Sequence, residues 1–220
     1  MDITPIFLTL KLATVTTLVL LVCATPLAWW LSRGRSWPKR VVETVVALPL
    51  VLPPSVLGFY MLLALAPNGP LGRMATAAGL GPLAFTFTGL VVGSVLFSLP
   101  FVVRPLQDAF AGVGEELLEA AATLGAGPWD RFVSVALPLA RHGYLTAATL
   151  GFAHTVGEFG VVLMIGGNIP GQTQVLSIAI YDAVEVIDYP TAHLYSAGLL
   201  VFSFVTLLTL SLASRRGARW

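Results

Sequence analysis

The sequence predicts an all-α integral membrane protein: a bundle of five transmembrane helices, N-terminus outside and C-terminus in the cytoplasm, with a short cytoplasmic helix between spans three and four. Three observations lead there. Hydrophobic residues make up 56% of the 220 and charged residues only 10%, whereas a soluble domain carries about 25% charge. The apolar residues gather in runs of about 20, the length that crosses roughly 30 Å of hydrocarbon at about 1.5 Å per residue. Lys and Arg cluster in alternate links between those runs, as they do on the cytoplasmic side of multi-span proteins. The bilayer is therefore the partner this composition requires. A net charge of +1 leaves no basic stripe for phosphates, which excludes nucleic acid. The lone Cys23 has no partner for an internal disulfide.

The first run spans residues 6–31 and follows Asp2 with no basic residue before it. A cleaved signal peptide would have a basic leader and a shorter apolar stretch, so a retained span is expected. The second run, 41–66, contains Pro49, Pro53 and Pro54. Each proline removes a backbone donor and clashes with the preceding turn, so this helix should kink or break where protein or a water-lined path satisfies the freed carbonyls. The third run, 88–104, holds Pro100 and closes on Arg104 at the expected headgroup level. The fourth, 137–165, holds Pro138, His142, His154 and Glu158; the fifth covers 192–213.

The links orient the bundle. The first holds Arg33, Arg35, Lys39 and Arg40; the third holds Arg131 between Arg104 and Arg141; the C-terminus ends with Arg215, Arg216 and Arg219. The second link has only Arg73, and the fourth, 166–191, has no Lys or Arg. The first and third links and the C-terminus are thus expected in the cytoplasm, which demands an odd number of spans. Residues 175–186 are too short to cross and carry Asp182 and Glu185, so a surface or re-entrant helix is expected there.

In the third link, Val113, Leu117, Leu118, Ala121 and Leu124 fall at helical spacing, with Glu115, Glu116 and Glu119 crowding the first turns, where carboxylates favour a helix N-terminus. Gly125 stands where a cap needs positive φ, and Gly127-Pro128 restarts a helix. Periodicity alone fits a solvated connector. The pattern is more specific: Glu119-Ala120-Ala121, then Gly125, then Val135-Ala136-Leu137-Pro138 resembles the E-A-A-x-x-x-G-x(9)-I-x-L-P signature of ABC importer permeases, with Val135 in place of isoleucine. In that family the helix docks into a cleft of the ATP-binding subunit, and small residues let two backbones approach. The resemblance implies a coupling region over 113–130, with Glu119, Ala120, Ala121, Gly125, Ala126 and Gly127 at the ATPase interface.

Residues 47–58, around Pro53-Pro54, are similar to the proline-rich second span of molybdate permeases. Thr123 to Gly127, Gly157-Glu158-Phe159-Gly160 and Gly167 to Thr173 also resemble stretches of that branch. Sulfate permeases share parts of these stretches; the run through Pro170-Gly171-Gln172-Thr173, with the short N-terminus and small length, favours molybdate. The resemblance implies a single transmembrane domain over 1–220 that carries molybdate, and tungstate with it, by alternating access. It also implies a homodimer in the bacterial cytoplasmic (inner) membrane, two copies of a separate ATPase holding ATP and magnesium, and an extracytoplasmic molybdate-binding protein. No cofactor is expected on this chain, since Gly112-Val113-Gly114 has no lysine behind it to make a nucleotide loop. The alternatives are a sulfate or thiosulfate permease, or an ion-coupled carrier, which would show inverted repeats and several intramembrane ionisable groups.

His142, His154 and His193 have no metal-ligand spacing, so packing is expected of them. Glu158 is the one acidic residue well inside an expected span, and two readings stand for it: part of a path or gate with Pro53 and Pro54, or a tie between its helix and the glycine-rich loop that follows. Asn168, Pro170, Gly171, Gln172 and Thr173 are expected in an outer loop that faces the binding protein.

Overall fold

The structure, a computed structural model, describes residues 2–34 and 36–217; Arg35 and Arg219, invoked above for orientation, lie outside the described residues. Every regular element among the described residues is helical.

Helix α1 (Thr4–Ser32) is the spine of the bundle. It buries Leu8, Leu12, Thr16, Leu20, Ala24 and Ala28, four residues apart, and so lays one continuous face along α5 (Phe87–Ala111) and α9 (Arg141–Val156). The small residues of that face let the helices approach, which is how spans associate where hydrophobic burial no longer drives packing. Thr86 caps α5, its Oγ1 accepting from the Gly89 amide at 3.1 Å. The helix then continues through Pro100 and Pro105 to Ala111 rather than ending at Arg104. The polar residues beyond Arg104 lie on a helix extending out of the apolar zone, where the Gln107 amide donates to Glu43.

Two helix pairs are bent. α2 (Trp37–Ala47) runs into a single 3-10 turn, Leu48–Leu50, and stops before Pro53-Pro54, where α3 (Pro54–Leu65) begins; α4 (Pro70–Ala77) follows. The segments Trp37–Leu50 and Pro54–Ala77 meet at 110°, a break rather than a kink. The second bend is absent from the sequence expectation of an unbroken fourth span. α9 ends at Val156, and α10 (Gly160–Gly166) leaves it at 62°. No proline causes this break; it falls between Gly157 and Gly160, where the chain tightens and the Glu158 amide reaches the Thr155 carbonyl at 3.4 Å.

α1, α5 and α12 (Tyr189–Gly217) are each long and apolar enough to cross a bilayer, and counting each bent pair as one span gives up to five. Before α12 comes α11 (Leu176–Glu185), which packs on both α1 and α12. Leu200, Val201, Phe204 and Leu207 of α12 are exposed, an arrangement suited to hydrocarbon rather than to water. Between α5 and α9 lie α6 (Glu115–Thr123), α7 (Pro128–Arg131), a π-helical turn at Phe132–Ala136 and α8 (Leu137–Leu139).

Candidate functional site

At one end of the bundle the segment from α6 to α7 stands clear of the helices. α6 ends in a Schellman cap: the Gly125 amide donates to the Ala122 carbonyl and the Ala126 amide to the Ala121 carbonyl, both at 3.0 Å. Gly125 adopts φ +90, the left-handed region in which only glycine is free of strain. Glu119, Ala120, Gly125 and Gly127 are exposed and Ala121 and Ala126 half-buried, so these six residues form one accessible turn. Leu117 and Leu124 are exposed beside it, Leu124 at 89%, an apolar edge with nothing of this chain covering it.

The segment is anchored by aromatic packing. Trp29, near the end of α1, meets Phe110 and Phe132 edge-on, with ring centroids 5.3 and 5.1 Å away. Phe110 closes α5 just before the segment and Phe132 follows α7 just after it. Arg33 lies over Trp29, its guanidinium carbon 4.1 Å from the ring centroid, and donates to the carbonyls of Phe110 and Val113 at 3.4 and 3.5 Å. Burial lowers the pKa of this guanidinium, and the neighbouring Glu115 raises it in part.

Partway along α5, where Ser98 meets Thr155 just before the second break, the two helix breaks pack on each other. Pro53 and Pro54 are exposed, and the Pro54 ring lies against Gly160, the first residue of α10. Glu158 is buried at 3% exposure, and neither carboxylate oxygen has a hydrogen-bond partner among the described residues. The tie to the following segment runs through its backbone instead: the Ser177 hydroxyl donates to the Glu158 carbonyl at 2.6 Å. A side-chain bond from Glu158 to glycine-rich backbone, one of the two sequence readings, is not what the structure contains.

The loop after α10 is compact. Three successive amides, of Gln172, Thr173 and Gln174, donate to the Ile169 carbonyl. Asn168, Pro170, Gly171 and Gln172 are exposed. Thr173 differs from the expectation placed on it: it is fully buried, its hydroxyl accepts from the Ile169 amide at 3.2 Å and donates to the Gly166 carbonyl at 2.7 Å, and it fastens the loop from inside. Asp182 of α11 holds the outside, accepting from Asn168 and Gln174.

Sequence reasoning misses Arg33, Trp29 and Asp182 as site residues. Trp29 and Arg33 sit one helical turn apart at the end of an apolar run, a spacing that could have flagged a stacked pair. His154 packs between Phe97 and Phe101, stacked on the latter at 3.8 Å, with Nδ1 2.9 Å from the Ser98 hydroxyl.

The chain is similar to known transport proteins over almost its full length. It is 59% identical over 215 residues, 98% of this chain and 95% of that protein, to the molybdenum transport system permease protein ModB of Azotobacter vinelandii. To the sulfate transport system permease protein CysT of Synechocystis it is 36% identical over 199 residues, 90% of this chain and 69% of that protein. The crystal structure of a bacterial alginate ABC transporter in complex with alginate pentasaccharide-bound periplasmic protein shares the fold, with a TM-score of 0.75 at 20% identity over 99% of this chain and 79% of that one. Residues 24–217 match the family described as binding-protein-dependent transport system inner membrane component. With that match spanning both helix breaks and the Gly125 turn, the chain belongs to the family of binding-protein-dependent transport system inner membrane components.

Proposed function

We propose that residues 1–220 form the transmembrane domain of an ATP-driven importer that carries molybdate, and tungstate with it, into the cytoplasm. The observation that supports this most is the likeness to a molybdenum permease through nearly the whole chain, at 59% identity against 36% for a sulfate permease. The chain works as a homodimer in the bacterial cytoplasmic membrane. It crosses five times, each bent pair serving as one span, with the basic links and the C-terminus inside. Two copies of a separate subunit bind and hydrolyse ATP with magnesium, and the accessible turn of Glu119, Ala120, Ala121, Gly125, Ala126 and Gly127 docks to them. An extracytoplasmic binding protein delivers the oxyanion to the loop of Asn168, Pro170, Gly171 and Gln172. Pro53, Pro54 and Glu158, at the packed breaks, belong to the gate of an alternating-access path.

Uptake of labelled molybdate by the assembled importer tests the substrate. Tungstate should compete and sulfate should not. Sulfate uptake that excess molybdate leaves untouched would move the chain to the sulfate branch, and a chain that never co-purifies with an ATPase subunit would lose the transport reading.

A further inference from the structure

Arg33 and Trp29 lie outside every motif of the sequence, yet they join three parts of the molecule. Phe110 and Phe132 bracket the segment that holds α6 and α7, and both rings rest on Trp29 of α1. Phe110 and Phe132 also lie within 5.9 Å of each other, so entry and exit of the segment converge on one point at the end of α1. Arg33 closes the assembly. Its guanidinium lies over the Trp29 ring and donates to the carbonyls of Phe110, in the last turn of α5, and of Val113, two residues beyond that helix. Those carbonyls lie at and just beyond a helix C-terminus, where a cation is favoured, and that of Phe110 also accepts the Val113 amide at 3.2 Å. Val113 is buried, and Glu115, which opens α6, is the acidic group acting on the guanidinium. α1 in turn packs along both α5 and α9, so a displacement of its end is felt by the whole bundle.

We propose that Arg33, stacked on Trp29, is the strut that passes movement of the α6–α7 segment to α1, and that it is a positioning residue for coupling ATP hydrolysis to transport. This rests on the reading that the segment docks to an ATPase. The guanidinium is suited to the task because its planar fork serves two carbonyls while its face stacks on an indole, a combination that lysine does not reproduce. A helix-capping role alone would lower stability without changing how hydrolysis responds to the binding protein.

The test uses the assembled importer with its ATPase and binding protein. Arg33→Gln should co-purify with the ATPase and keep basal hydrolysis. Stimulation by the loaded binding protein, and uptake, should fall about tenfold, the equivalent of roughly one lost charge-assisted hydrogen bond. Arg33→Lys, which keeps the charge but not the fork, should fall between the two and serves as the readout if the Gln variant accumulates poorly. A wild-type ratio of stimulated to basal hydrolysis in both variants overturns the strut. Loss of co-purification at normal abundance also overturns it, because Arg33 would then belong to the docking surface. A photo-crosslinker in place of exposed Leu117, in an otherwise unaltered chain, reports docking independently. No crosslink to the ATPase there would refute the docking reading whatever the Arg33 variants do.

Discussion

Pro54 and Gly160, the residues that restart the two broken helices, pack so closely that a Cβ on Gly160 would lie 2.8 Å from the Cβ of Pro54. A proline ring cannot rotate away, so Gly160→Ala should push the two breaks apart at an overpacking cost of about 1–3 kcal/mol. Gly157, at the other side of the same break, provides the contrast. Its φ of −85° suits any residue, and an added Cβ would approach only carbonyls at 3.7 and 3.8 Å. Gly157→Ala should therefore leave thermal stability in detergent unchanged while Gly160→Ala lowers it. Equal stability of the two would contradict the packed junction.

Asp182 is the acceptor that holds the loop after α10, taking 2.6 Å bonds from Asn168 to both its oxygens and a 2.7 Å bond from Gln174. Asp182→Ala should release the outer edge of the loop while Thr173 keeps the inner edge fastened. Amide exchange across residues 168–174 should then speed up without unfolding α11. Uptake driven by the binding protein should fall while basal ATP hydrolysis is kept. Unchanged exchange in that loop would show that the internal turn around Ile169 suffices to hold it.

What the sequence makes legible is what depends on neighbours along the chain. The apolar runs, the proline-blocked stretch before Pro54 and the glycine after the last apolar position of α6 each act through local backbone chemistry, and each has a direct counterpart in the structure. The break between Gly157 and Gly160 escapes such reading because the apolar run continues through it and no proline marks it; what accommodates it is Pro54, a hundred residues away in the chain. The Arg33 contacts escape for the same reason, since they join residues 77 and 80 positions apart. The inward turn of Thr173 is set by two backbone groups of its own loop, and composition gives no hint of it.

Orientation in the membrane has a direct test. Reporter fusions after Arg40 and in the Gly125 turn should report the cytoplasm, and fusions near Gly69 and Gly171 should report the outside, because Lys and Arg gather on the first pair of links. The sharp bend of 110° between α2 and α3 makes the Gly69 fusion the critical one. A cytoplasmic signal there would make α2 and α3 a re-entrant pair and reduce the number of spans.

The Gly125 turn separates a connector from a coupling device. Its φ of +90 lies in the left-handed region, and an added Cβ would meet nothing within 4 Å, so a side chain is opposed there by the backbone alone. Gly125→Val should cost about 1–2 kcal/mol locally, breaking the cap formed by the Gly125 and Ala126 amides and redirecting α7. Gly125→Asn, which tolerates this conformation better than other side chains, should be nearly silent, with Gly125→Ala in between. None of the three buries a group or opens a cavity, so all should insert and accumulate like the natural protein. What should decline in the order Asn, Ala, Val is ATPase co-purification, and oxyanion uptake with it, because the helix bearing Glu119, Ala120 and Ala121 would meet its partner at the wrong angle. Glu119→Ala should weaken assembly less than Gly125→Val, since its exposed carboxylate is screened by solvent. Measured abundance, co-purification and uptake across the series decide the matter. Assembly and uptake that ignore the backbone ranking would leave the turn a solvated link and remove the physical basis for coupling through it.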